Sequence, residues 1–596
     1  MTNRLIQRTK KMSENIENEL VELLDKPFEL FEKLQKIHRG NKRSRALGGD
    51  KEAKDITNQF IIKLNKNYGA DICYLAVEAI NAGFSKDFIP YIVDDAIPFL
   101  TLNLNSIISY FQTANMYSFQ IVSLLTTEQP DFTNNLLTEL IALGEEFTTD
   151  LICEIIHEQQ NRNIADKHQQ LLSLSNDSKL PVVRAAILGL GNLEYKFETD
   201  ELLLQQTVER LEKYIAPVKQ NIDEIRQAAV WALCKLLYVG DEIKNKVLIL
   251  AKQQDPIACS RIIRFIFNQR KYIDNSEWFN ELLMSFAMAP CENHEIVNDV
   301  DLILSILFEK EETQKLAEEF WIKWLILNSK QIYNNQLKNL FSSTFAKLID
   351  KTNIYTPLVT KYINHDNATV VHSAFEVIDY IQSYRKTKIV LDQSTLQSFT
   401  QEELLYVCRK ILGYVYLADV LQNLFYSILT TIIENNDAVR LIGSIFVTYI
   451  AKEYPTSTLA FLQDKQTNDE RNRKSSEIIS ELIRDIELNI ASRKELPKLN
   501  EITVSNKVKY QITLAKYNCD NQAMEEAQKG SFLDCVTKIN LKYGKGSFNR
   551  FGGQYSQPSK LSSISHSMDI PTSESYQPVH AALHRINFRQ AKKGQR

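Results

Sequence analysis

"DSKLPVVRAAILGLGNL" (177–193) and "NIDEIRQAAVWALCKLL" (221–237) are two versions of one pattern. Each carries an acid and a short polar lead, then a β-branched residue before an arginine, Val183-Arg184 in one and Ile225-Arg226 in the other. Ala185, Ala186, Leu188 and Leu190 follow in the first, and Ala228, Ala229, Ala232 and Leu233 in the second. This is the spacing of an amphipathic helix. Its alanines let a neighbouring helix come close, and its leucines fill the space behind. Arg184 and Arg226 stand about 40 positions apart, the length of one helix–turn–helix unit. Weaker copies are "DNATVVHSAFEVI" (366–378), with His372 in the arginine's place, and "NDAVRLIGSIFV" (436–447), with Arg440 in register. "QDPIACSRIIRFI" (254–266) shares an Asp-Pro opening but lacks that arginine.

The D-x-x-V-R-x-x-A-x-x-A-L pattern resembles the HEAT-repeat family. The resemblance implies an all-α fold of antiparallel helix pairs, about 40 residues each, stacked as an α-α superhelical solenoid whose neighbours share one core. In that family the pattern is the second helix of a pair. The arginines and the acid then have a structural reading. Asp223 at a helix start meets N–H groups left without partners, and Arg184, Arg226 and Arg440 reach an acid of the next repeat.

Composition agrees with a helical array. In 596 residues there are 17 Gly and 14 Pro, too few breakers for a turn-rich β fold. The eight cysteines are scattered singly, most of them in apolar stretches, which suits buried reduced thiols. The start "MTNRLIQRTKKMSENIENEL" is basic but has no apolar core after it, and "FWIKWLIL" (320–327) is far short of the roughly 18 apolar residues of a spanning helix. We expect a soluble, cytoplasmic protein, with a membrane surface an unlikely partner. From Leu541 onward nine Lys or Arg face two acids, a net of +7 in a chain of −4, so the body carries −11. An acidic body with a basic tail speaks to partners, not to fold.

The domain organisation expected is as follows. Residues 1–55 hold a helix, broken at Pro27, and a basic loop. Residues 56–495 form the solenoid, and 496–545 a small α or α+β element. Within the latter, "NKVKYQITLAKY" (506–517) alternates apolar and polar residues as a strand does. Residues 546–578 are a Gly/Ser/Pro-rich linker, and 579–596 a flexible basic amphipathic helix or tail. "TQEELLYVCRKILGYVYL" (400–417) opens on a Thr400-x-x-Glu403 capping box.

No motif for covalent chemistry is found. In "KYGKGSFNRFGGQYS" (542–556) Gly546 separates Lys545 from Ser547, so the phosphate-loop pattern fails. Cys291-x-x-His294 lacks a second pair at zinc spacing. His580-x-x-x-His584 would put two imidazoles on one helix face, but Ala581 stands where a metalloprotease needs glutamate. No catalytic residue, metal or cofactor is expected, and a non-enzymatic protein is. Candidate contacts for a partner or anion are Arg261 and Arg264 on one helix face, then Lys545, Phe548 and Arg550, then Arg585, Arg589, Lys592 and Arg596. The last four form a basic stripe beside an apolar seam of Val579, Leu583 and Ile586. Such a helix could hold a protein partner, or fold back on the acidic body as a cap. The resemblance implies a scaffold, adaptor or regulatory subunit that takes a protein or peptide on its concave surface. The alternative is a nucleic-acid-binding or -processing solenoid using the concave arginines and the basic tail.

Overall fold

The structure, a computed structural model, describes residues 15–594 apart from 40–50, 115–118, 161–162, 197–198, 217–221, 275, 333–336, 385–388, 469–472, 496–504 and most of 506–570. Within 506–570 it describes 507, 508, 510–515, 518, 546, 547, 550, 551, 554, 555, 559 and 560. The chain divides into two units, Met1–Lys347 and Leu348–Arg596. Both are helical stacks.

In the first unit the quoted repeats are successive helices of one ladder. Its rungs are α1 (Thr148–Gln159), α2 (Leu180–Asn192), α3 (Asp223–Lys235), α4 (Pro256–Asn268) and α5 (His294–Leu307), each packed on the next. Between them run Ile164–Leu174, Glu201–Ile215 and Asp241–Lys252, each antiparallel to the rung that follows it. A helix buries only one stripe, so a stack of pairs gives every rung a neighbour on both sides. Val182, Ala185, Ala186 and Leu190 of α2, and Ala229, Ala232 and Leu233 of α3, are accordingly buried. This is an all-α solenoid.

The small residues set the spacing. A Cβ on Gly191 would lie 2.5 Å from the Ala232 backbone, so α2 and α3 touch there main chain to main chain. Gly191→Ala should therefore destabilise the first unit by about 1–2 kcal/mol, overpacking outweighing the better helix propensity of alanine. Gly240, with open space around its Cβ position, is the control. Gly240→Ala, at the N-cap of Asp241–Lys252 where alanine is the poorer residue, should cost less than Gly191→Ala in the same urea titration, and equal losses at both sites would contradict the close approach.

The second unit continues with α6 (Thr352–Ile363), α7 (Ala368–Tyr384), α8 (Gln401–Tyr414), α9 (Ala418–Thr431), α10 (Asn436–Ile445), Pro455–Asn468 and α11 (Arg473–Lys494). Here α7, α8 and α10 make the ladder, while α9 packs against both α8 and α10. The capping box at α8 forms in full: the Glu403 N–H donates to Thr400 Oγ1 at 3.3 Å, and the Thr400 N–H to Glu403 Oε2 at 2.9 Å. A wide π turn, Phe446–Ala451, extends α10.

Three expectations change. The basic loop of the first 55 residues is preceded by a further helix, Pro27–His38, because Pro27 opens a helix as readily as it ends one. The alternating stretch 506–517 is helical at Lys507, Val508 and Tyr510–Ala515. Its Val508, Tyr510, Ile512 and Leu514 are all exposed, so no partner strand or core enforces a period of two, and local helix hydrogen bonds prevail. The stretch read as linker carries two short antiparallel ladders, Gly546–Ser547 with Ser559–Lys560 and Arg550–Phe551 with Gln554–Tyr555.

Candidate functional site

The basic C-terminal helix is part of the second unit's ladder. It is α12, Pro578–Gln590, and it lies against α8. Pro578 presets its first turn, and Ala581 is small enough to be buried against the solenoid. The fit is closest at Gly413, where a Cβ would meet the Arg589 nitrogen at 2.8 Å.

Four cations fasten the contact. Arg589 Nε donates to Gly413 O at 2.7 Å, and a terminal nitrogen donates to Tyr416 Oη. Its guanidinium stands 5.0 Å from the Tyr414 ring centre. Arg585 lies 4.3 Å over the Tyr416 ring and pairs with Glu574 at 2.5 Å. Lys593 reaches Asp366 at 3.2 Å and Glu403 at 3.9 Å. From the solenoid side, Lys410 Nζ donates to Arg589 O. The last carbonyls of a helix lack intrahelical donors and sit at the negative end of its dipole. Here each helix gives a cationic side chain to the C-terminal carbonyls of the other. Further back along the segment, Thr572 N and Oγ1 donate to Glu453 O at 3.1 and 2.9 Å, and Ser573 N donates to Glu453 Oε2 at 2.7 Å.

The helix is docked by its basic side. Val579, Leu583 and Ile586, the apolar seam, are 72%, 53% and 43% exposed. The receiving surface explains this. It offers aromatic faces, carbonyls and carboxylates, which suit guanidinium groups and not branched aliphatic side chains. Phe588 alone adds a large ring, edge-on to Tyr449 at 5.2 Å. Beside Ala581 the two surfaces leave a cavity of about 470 Å³, lined by Leu412, Val415, Leu421 and Tyr449 on the solenoid and by His580 and His584 on α12.

Burial pushes the Lys410 ammonium down to about 8. Between about pH 8 and the ordinary lysine value near 10.4 the unfolded chain therefore holds more of this proton, and this group's contribution to stability rises with pH across that window. Cys408, whose thiol burial pushes up, works the other way over the same range. The decisive quantity is thus wild type minus Lys410→Met in urea unfolding. It should rise from pH 8 to 9.5, and a flat difference would contradict a buried ammonium at this contact.

The other sequence-derived positions fall into separate places. In the first unit Arg184 joins Glu146, next to α1, and reaches Glu224 of α3 at 3.7 Å. Arg226 holds Asp255 at 2.6 Å, and Asp255 also caps α4 through the Ala258 N–H at 3.0 Å. Asp223 lies inside the first turn of α3 and caps nothing, although it stands 3.8 Å from Arg226. Arg261 donates to Gln227 of α3, and Arg264 Nε to Asp299 of α5 at 2.8 Å. These arginines therefore bridge rungs of the ladder. Arg440 on α10 and Lys592 after α12 are exposed. Arg550 belongs to a short strand, whereas Lys545, Phe548 and Arg596 lie outside the described residues. Sequence reading missed Lys410, Gly413, Tyr414 and Tyr416, which carry no motif and meet α12 only through the fold, and Glu453, which meets Thr572 and Ser573 before it.

Cys73, Cys153, Cys234, Cys259, Cys291 and Cys408 are buried, and burial pushes the Cys153 and Cys259 thiols up to about 12. The His580 and His584 rings are 4.4 Å apart, but among the described residues no three His, Cys, Asp or Glu gather as a metal site. Among the same residues no helix is long and apolar enough to cross a membrane.

No family model matches the chain, and no curated protein does. Among solved structures it is similar to UNC-45 from Drosophila melanogaster, at 12% identity and a TM-score of 0.24, over 84% of this chain and 68% of that one.

Proposed function

We propose that this protein is a non-enzymatic, HEAT-like solenoid that serves as a scaffold, adaptor or regulatory subunit by binding a protein or peptide on its ladder of repeat helices. The observation that carries the reading is α12 itself, a helix seated on α8 through side-chain, carbonyl and aromatic contacts. A ladder surface that holds one helix in cis has the chemistry to hold another, by shape and charge over a large area and with no covalent step.

Four of the cations on which the nucleic-acid alternative would draw have protein partners. Arg261 and Arg264 are engaged by Gln227 and Asp299, and Arg585 and Arg589 by Glu574 and the α8 terminus. Two measurements on the intact chain test the proposal. Cross-linking of the natively purified protein should join a second polypeptide to ladder residues. Anisotropy with DNA and RNA oligonucleotides should detect no micromolar binding even at about 50 mM salt, where phosphate contacts are strong. Recovery of a monomer bound only to oligonucleotide would sink the scaffold reading.

A further inference from the structure

The seat of α12 is incompletely filled. Arg585 and Arg589 on one face of α12, and Lys593 in the turn just beyond its end, come at intervals of four and find Tyr416, Gly413 and Asp366 with Glu403. One step earlier in the same register comes Ala581, and here the match fails. The about 470 Å³ cavity opens beside this methyl group, and its solenoid wall carries Leu412, Val415 and Leu421 together with Tyr449, Lys452, Glu453 and Arg493. Apolar wall atoms that meet no side chain of α12 forfeit dispersion with it. The three basic positions are thus matched to the groove and the fourth is not.

Resting on the protein-binding reading above, we infer that this groove is the receptor for a helix of a partner protein reading Φ-x-x-x-Arg-x-x-x-Arg-x-x-x-Lys, where Φ is a large apolar residue, and that α12 occupies it as a weaker ligand in cis. The contacts α12 already makes support this occupant: Lys593 meets Asp366 and Glu403, and the cations of the segment lie over the rings of Tyr406, Tyr414 and Tyr416.

The test uses the full chain and two fluorescein-labelled peptides, one with the sequence of residues 571–596 and one with Leu in place of Ala581. The wild-type chain should bind the native peptide weakly. The full chain carrying Arg585→Glu and Arg589→Glu, its groove intact but its tail released, should bind it at least about tenfold tighter as cis competition disappears. The Leu peptide should bind both chains more tightly than the native one. Adding Gly413→Leu to the released chain should abolish both interactions, since that side chain would occupy the place of the Arg589 backbone. The atoms nearest the Cβ position belong to Arg589 and Phe588, so in the released chain the new side chain faces the emptied groove and, with a helical glycine removed, loss of fold is not its expected effect.

Unchanged affinity on tail release, equal affinity of the two peptides, or binding that survives Gly413→Leu would each overturn the inference. So would a wild-type dimer dispersed by the two Arg→Glu changes, which would make a second copy's tail the occupant. Peptide failure alongside a polypeptide cross-linked elsewhere on the ladder would end only the groove assignment. Failure of both experiments would end the scaffold reading as well.

Discussion

Replacing Trp324 by alanine should lower the stability of the first unit by about 3–5 kcal/mol, the range for deleting a buried aromatic side chain. Trp324 is 1% exposed on the helix Glu311–Leu327, and its ring lies edge-on to Phe341 at 4.8 Å. Its indole Nε1 donates to Ala289 O at 3.1 Å, and Asn328 Nδ2 donates to the same oxygen at 3.2 Å. The carbonyl therefore keeps a partner when the indole is lost, and the cost is that of the cavity, not of a stranded acceptor. Trp324→Phe should consequently cost less than half as much as Trp324→Ala. Urea unfolding followed by amide exchange should place the loss in Met1–Lys347, because stack stability is a sum of units and their interfaces. Equal losses for Phe and Ala would assign the effect to the hydrogen bond.

Arg226→Met should cost about 2–3 kcal/mol. The guanidinium is buried, bonded to Asp255 at 2.6 Å and to Ile215 O at 3.2 Å, so its removal strands an acceptor and loosens the start of α4. Asp255 remains partly exposed, which keeps the figure below that of a fully buried broken pair. Burial opposes ionisation of Asp255, but the Ala258 N–H and Arg226 outweigh it and hold the carboxyl below its usual value. A depressed carboxylate gives stability that is full above about pH 4 and is lost as pH falls through the lower folded value. The wild-type advantage over Arg226→Met should therefore shrink in acid below about pH 4. A double-mutant cycle with Asp255→Asn isolates the pair, and additive losses would contradict a direct link between α3 and α4.

The ladder was legible in the sequence because its physics is local. Val183-Arg184 and Ile225-Arg226 mark equivalent turns, and the alanines after them announce close packing. What those arginines bind was half legible. Arg226 meets an acid of the next repeat, whereas Arg184 also reaches back to Glu146; Asp223 lies inside the first turn of α3 without capping it, while Asp255 caps α4. The stretch 506–517 misled because four alternating apolar residues specify a strand only where another strand receives them. The docking site lay beyond sequence reading for a different reason. Periodicity shows that α12 has a basic face and an apolar face, but not which one faces inward. That is decided by Gly413, Tyr414 and Tyr416, more than 170 positions away, which come to the helix only once the stack is built.

Carbodiimide coupling, which joins a lysine to a carboxylate only in direct contact, tests the docking of α12 most directly. In the monomeric full chain it should link Lys593 to Asp366 and Glu403, which stand 3.2 and 3.9 Å away, and Arg589→Glu should reduce both products sharply. Lys593 joined to acids scattered over the chain, with neither of these two preferred, would contradict it.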